Sequence, residues 1–332
     1  MAKTKNIEQD IFKEFGIDPN KYLNDVITSD DYATFSISPR IDVTCGGGIK
    51  EGSLVLVSGQ EKLGKTTLCL AAAASAQNQK DGIHRKVYYI DVENRIQPRD
   101  LKAFGLKTDE DSLCVIGSVS GRLLSAEDVF KICEKLVSNV RNAVIIIDSI
   151  SMLCTKSEMD YDYENQFRQD VQKLTAIFCR KMAQVLRPSK NTIFGILHMH
   201  ANQNANSPYA PKTIEQGGTK LKYAANYQFK LTHKEEVKNG DEHIGNKVHF
   251  KCLYHPGEGP ATTSYFQHRF GYGIDIVKET IELAKDIGAI KSAGAWLKLP
   301  DGTQYQGLEN LTEACRNNKE VFDLIKTSIE NI

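Results

Sequence analysis

The chain has 332 residues, enough for one large domain with appendages or for two domains. Lysine plus arginine and aspartate plus glutamate each total 42, which excludes a global basic field, so any nucleic-acid site must be local. Eight cysteines lie scattered without a C-x-x-C pair, and the amino-terminal MAKTKNIEQDIFKEF has no apolar leader core, so an intracellular protein of a reducing cytosol with no membrane span is expected.

Residues 6–27 set Ile7, Ile11, Phe12 and Phe15 on one side of a short helix, a stripe suited to packing on the core or on a neighbouring subunit. Residues 28–38 are polar and irregular. From Ile37 the pattern alternates between strand-like runs at 53–58, 86–91, 113–117, 143–148 and 192–197 and helical runs near 65–79, 98–104, 126–141 and 165–187. Val144–Ile147 is unbroken apolar, as a parallel strand covered on both faces requires. Ser125 with Asp128 predicts a capping box for the third helix. Three further strand-like stretches, 227–233, 247–254 and 263–270, follow without helices between them and predict an antiparallel extension. After Gly273 come an amphipathic helix at 275–287, a hairpin in AGAWLKLPDGTQY and a helix at 309–330, together a small α+β C-terminal domain. The expected fold is α/β, a mostly parallel sheet with an antiparallel extension, divided at 1–36, 37–274 and 275–332.

GQEKLGKTT, residues 59–67, follows the apolar run Leu54–Val57 and opens the Ala-rich helical segment, with the G-x-x-x-x-G-K-T spacing intact. Phosphate oxygens need several backbone N–H donors converging on one point, and Gly59 and Gly64 permit that curvature around Gln60, Glu61, Lys62 and Leu63. Lys65 can reach the β- and γ-phosphates, the Thr66 hydroxyl can ligate Mg²⁺, and Thr67 continues the helix start. Asp148 ends VIIID, an acid at a buried strand tip beside this loop and so a second Mg²⁺ ligand. Hydrolysis also needs a group to orient water; Glu93 in DVE is the first choice and Asp91 its local rival. His198 and His200 follow IFGIL at another strand tip, where a polar side chain can read the γ-phosphate; a metal site is the weaker reading there, since no nearby Cys or His completes a ligand set.

In this order the motifs resemble the RecA recombinase family, most closely its phage UvsX-type branch: GGGIKEGSLVLVSGQEKLGKTT, YYIDVENRIQP, VIIIDSIS, GILH and EQGGTKLKYAANYQFKL. The resemblance implies a RecA-like P-loop ATPase that uses ATP and Mg²⁺. It implies a head-to-tail homo-oligomeric filament on single-stranded DNA that exchanges strands with double-stranded DNA, with single-strand-binding and mediator proteins as possible partners. It places the protein in the cytoplasm, the host's if phage-encoded. It assigns water activation to Glu93, the γ-phosphate sensor to His198, and DNA contacts to Lys173, Arg180, Gly217 and Gly218. The DNA loops would fall in Lys156–Glu164 and Ala201–Gly218. Asp100 stands where the family has an aromatic against adenine, and Tyr254 and Pro256 where it has trans-acting bases. Two other classes carry the same core: a regulatory ATP-binding scaffold, and a hexameric helicase-type motor.

Overall fold

The computed structural model describes residues 32–118, 123–160, 171–201, 213–215, 218–257 and 262–330, with 13, 14, 16 and 18 besides. The amino-terminal apolar stripe expected at Ile7, Ile11, Phe12 and Phe15 lies outside the described residues. The elements run β1 (Thr34–Phe35), α1 (Pro39–Thr44), β2 (Ile49–Lys50), β3 (Leu54–Gly59), α2 (Lys65–Gln77), β4 (Val87–Asp91), α3 (Pro98–Ala103), β5 (Leu113–Gly117), α4 (Ala126–Asn139) and β6 (Val144–Asp148). Then come α5 (Lys156–Met159), α6 (Val171–Ser189), β7 (Thr192–Ala201), β8 (Thr213–Glu215), α7 (Thr219–Ala224), β9 (Tyr227–Asn239), β10 (Glu242–Tyr254), β11 (Thr262–Arg269) and β12 (Gly273–Ile274). The chain closes with α8 (Ile276–Asp286), β13 (Lys291–Ala293), β14 (Trp296–Lys298), β15 (Gln304–Gln306), α9 (Leu308–Asn317) and α10 (Lys319–Glu330).

The central sheet is ordered β12-β11-β10-β9-β3-β7-β6-β4-β5, with β8 on β7. Strands β9, β3, β7, β6, β4 and β5 are parallel, and β9 to β12 continue antiparallel, so both halves of the expected sheet are present. Period-two alternation explains the unbroken apolar runs. Val144 and Ile146 of β6 enter one core with α2, while Ile145 and Ile147 enter a second with α4 and α6. Both faces are buried, and each such side chain contributes roughly 1.5–3 kcal/mol by burial. Helix α2 is buried nearly all round, and its run of alanines is what lets it lie close to the sheet.

Two elements differ from expectation. The strands expected at 227–233 and 247–254 reach residues 239 and 242, forming one long hairpin, because the outer half carries exposed charged residues that break the apolar alternation. The helix expected at 309–330 is two helices, divided at Asn318. Ser125 does cap α4 through the Asp128 N–H, but the Asp128 carboxylate accepts the Ser125 hydroxyl, so the second arm of a capping box is not formed.

The carboxy-terminal residues have a small core of their own, centred on Ile281, Leu297, Leu311 and Ile325. Helix α8 joins it to the main sheet through Glu279, a fully buried residue whose carboxylate accepts the N–H groups of Arg40 and Gln267. Burial pushes this carboxyl up to about 7, against the opposing pull of its hydrogen bonds and of Arg40. The folded chain therefore holds a proton that the unfolded chain has lost between about pH 4.5 and about pH 7. Stability is full below that window and falls by roughly 3 kcal/mol as pH rises through it. Urea midpoints across this range are expected to drop in the wild type, and Glu279→Gln to remove that part of the slope; parallel slopes would contradict the assignment.

Candidate active site

Parallel register brings the tips of four strands to one edge. Gly59 pairs with His198 across β3 and β7, and Asp91 pairs with Asp148 across β4 and β6. In open α/β sheets the carboxyl ends of the strands are where ligands bind. Here they border a cleft of about 560 Å³, lined by Lys65, Thr66, Tyr89, Glu93, Asp148 and His198 among others.

The two glycines of the loop serve different needs. Gly64 caps α2 at φ +89°, a region closed to most side chains. Gly59 is extended, and there a Cβ would lie 3.0 Å from the Leu231 Cβ of β9, so close packing rather than curvature demands glycine. Lys62 also adopts positive φ, and its carbonyl accepts Lys234 from β9. Gln60, Glu61, Leu63 and Thr67 complete the loop and the start of α2, all but Gln60 on the cleft wall.

Lys65 is buried and donates to the carbonyls of Gly59 (3.0 Å) and Gln60 (2.8 Å), which hold its ammonium over the loop. Burial lowers its pKa, while Asp148, Glu93 and Glu61 act in the opposite direction. The Thr66 hydroxyl donates to Asp148 Oδ2 at 2.7 Å, and the Tyr89 phenol donates to the same oxygen at 2.6 Å. Burial raises the Asp148 carboxyl despite these bonds, with the charges of Glu93 and Asp91 adding to the rise. An acid of this kind, beside a hydroxyl and under a lysine, is a hard-oxygen donor set that a divalent cation would satisfy.

Glu93 stands at the centre of a second network. Its Oε1 accepts the Ser149 hydroxyl at 2.8 Å and meets His198 Nε2 at 2.7 Å, while Arg95 Nη1 lies 2.9 Å from Oε2. Burial alone would raise this carboxyl, but Ser149, His198 and Arg95 outweigh it and hold Glu93 below the usual carboxylate range. Asp91 is engaged differently, because its two oxygens accept the N–H groups of Arg95 and Ile96 and fasten the turn after β4. The His198 N–H donates to Ser151 Oγ at 2.8 Å, which anchors the β7 tip.

Several lining residues were not singled out from sequence. Tyr89 carried no signal within its strand run, Arg95 follows Glu93 by two positions, and Phe104, His268 and Phe270 are brought to the same cleft from α3 and the β11 end. The Phe104 and His268 rings are parallel with centroids 6.3 Å apart, and Phe270 meets His268 edge-on at 5.7 Å.

Lys173 and Arg180 lie on the exposed side of α6, opposite the buried Phe178, Cys179 and Met182. With Gly218 and Lys220 at the start of α7 they border a groove of about 620 Å³. Gly217, residues 161–164 and most of 201–218 lie outside the described residues, as does the His200 side chain. Tyr254 is half exposed and is not among the residues lining the active-site cleft. No helix among the described residues is long and apolar enough to cross a membrane.

Residues 4–275 match the RecA N-terminal domain. Protein RecA of Ruminococcus albus is 28% identical over 321 residues, covering 96% of this chain and 77% of its own length. Protein RecA of Wolinella succinogenes is 29% identical over 290 residues, 87% of this chain and 79% of its own length. Protein RecA of Fusobacterium nucleatum is 29% identical over 294 residues, 88% and 74% respectively. With the greater part of its length matched in this way, the chain belongs to the RecA family and is a RecA-type recombination protein built on a P-loop ATPase core.

Proposed function

We propose that this chain assembles head-to-tail on single-stranded DNA, hydrolyses ATP with Mg²⁺ at the β3–α2 loop, and exchanges strands with homologous duplex, in the manner of the UvsX-type branch. The observation that carries this reading is the bond between His198 and Glu93. His198 sits on β7, whose outer end pairs with β8, a strand within the 201–218 loop, so that loop would be coupled to the acid that would orient water. Lys65 and the N–H groups of residues 59–67 would hold the triphosphate. Thr66 and Asp148 would hold Mg²⁺, which supplies charge neutralisation of the phosphates. Glu93, held ionised, would orient and deprotonate water, a role open to it because Asp91 is occupied with backbone. Phe104 and Phe270 would flank the base, replacing the aromatic absent at Asp100, and Arg95 is a cation already within the cleft.

DNA would follow the groove beside Lys173, Arg180 and Gly218, where backbone can approach phosphate closely, with Gly217, the preceding residue in sequence, assigned to the same contact. We further read 1–36 as an oligomerisation segment, 37–274 as the ATPase core and 275–332 as a small separate domain, with single-strand-binding and mediator proteins as partners in the cytoplasm. Arg180→Ala is expected to weaken single-stranded DNA binding and to flatten its dependence on log salt by about 0.7 for the lost phosphate contact. An unchanged slope and affinity, measured by fluorescence anisotropy across a salt series, would move the DNA track away from α6.

A further inference from the structure

Away from the cleft, on the opposite face of the β9–β10 hairpin, two histidines and a glutamate converge. His233 and His249 are directly opposed across the strands, with rings nearly parallel at 7° and centroids 4.1 Å apart. A register shift creates this pairing: His249 opposes His233 while Phe250 opposes Leu231, so Thr232 is an extra residue on β9. Glu235 follows on the same face, and the donor atoms of His233, Glu235 and His249 all lie within 4.8 Å of one another.

The hydrogen bonding around this triad leaves donor atoms open to a cation. The Thr232 hydroxyl donates its one hydrogen to the His249 carbonyl at 3.2 Å. At 3.1 Å from His233 Nδ1 it can then only accept, and in the neutral tautomer that fits this contact Nε2 is the ligating nitrogen. That nitrogen faces Glu235 Oε1 at 4.0 Å, a gap that a shared positive charge would bridge. His249 Nε2 lies 2.9 Å from the same oxygen without hydrogen-bond geometry, and is a buried atom with no hydrogen-bond partner. Lys247, opposite Glu235 in the ladder, does not supply the charge, because its Nζ sits 3.8 Å from the centre of the Tyr265 ring.

We propose that His233, Glu235 and His249 form a divalent transition-metal site of the zinc class, a cross-strand clip with three protein ligands and one position open to water. Two imidazoles and a carboxylate are a borderline donor set that suits Zn²⁺, with metal–ligand bonds of about 2.0–2.2 Å that modest side-chain rotation allows. The Thr232 hydroxyl is the outer partner that orients His233. The adjacent residues on the other face, Lys234 and Val248, line the nucleotide cleft, so the clip braces a wall of that cleft.

The test is titration of EDTA-stripped, full-length protein with Co²⁺, followed optically, and with Zn²⁺, followed by thermal unfolding. One equivalent of Co²⁺ should give the visible d–d bands of a nitrogen–oxygen site without thiolate charge transfer, and Zn²⁺ should raise Tm. His233→Ala, at an exposed position that tolerates truncation, and His249→Ala should each abolish both responses. Thr232→Val should weaken Co²⁺ binding by about tenfold or more while preserving the band shape. Absence of binding by the wild type, unchanged binding by a His233→Ala protein with native circular dichroism, or thiolate charge-transfer bands would each overturn the proposal.

Discussion

Glu93→Gln is expected to retain ATP and single-stranded DNA binding while lowering ATP turnover by at least roughly 10²-fold. The amide is nearly the same size, still accepts the Ser149 hydroxyl, and leaves the phosphate loop untouched. What it loses is the negative charge that Ser149, His198 and Arg95 hold in place, and with it the capacity to take a proton from water. A single-turnover measurement separates the two steps. Wild-type turnover by this variant would shift the base to Asp91, in conflict with the two backbone N–H groups that Asp91 already accepts.

Lys65→Ala should fail one step earlier, at binding. The ammonium is poised over the loop by two carbonyls, and its charge-assisted bonds to phosphate are worth about 1.5–3 kcal/mol each, so two of them imply a loss of at least roughly 10²-fold in kcat/KM. The fold should survive, because the truncation removes a charge whose burial is itself unfavourable and leaves the strand pairing intact. Isothermal titration with ATP beside a thermal melt checks both halves. Binding at wild-type affinity would mean that the phosphates sit elsewhere. The pair of variants is diagnostic together, since one keeps the ligand and loses the chemistry and the other loses the ligand.

The parallel strands were legible because burial on both faces writes itself as continuous apolar runs such as Val144–Ile147. The phosphate loop was legible because its spacing is local. What depends on register was not. Tyr89 reaches Asp148 because the register pairs it with Ile146, two positions before that acid and on the same face, while Asp91, level with Asp148, turns back to the N–H groups of its own loop. The outer half of the long hairpin was missed because charged residues there face solvent on both sides and leave no alternation to read. The same hairpin hides His233, Glu235 and His249, which lie up to 16 positions apart and meet through one extra residue, Thr232. His198 and His200 invite a metal reading because they are close in the chain, whereas the histidines that converge lie across a ladder. Around the nucleotide cleft the reverse held: Glu93 and His198, separated by 105 positions, were each marked by a strand-tip motif, and the structure adds their direct contact.

Strand exchange tests the central claim most directly: the protein, ATP, a circular single strand and a homologous linear duplex, followed by gel for the displaced strand. The expected result is displaced strand that requires ATP and homology, disappears in Lys65→Ala, and is accompanied by hydrolysis stimulated by single-stranded DNA. ATP hydrolysis indifferent to DNA, with no displaced strand at saturating protein, would contradict it.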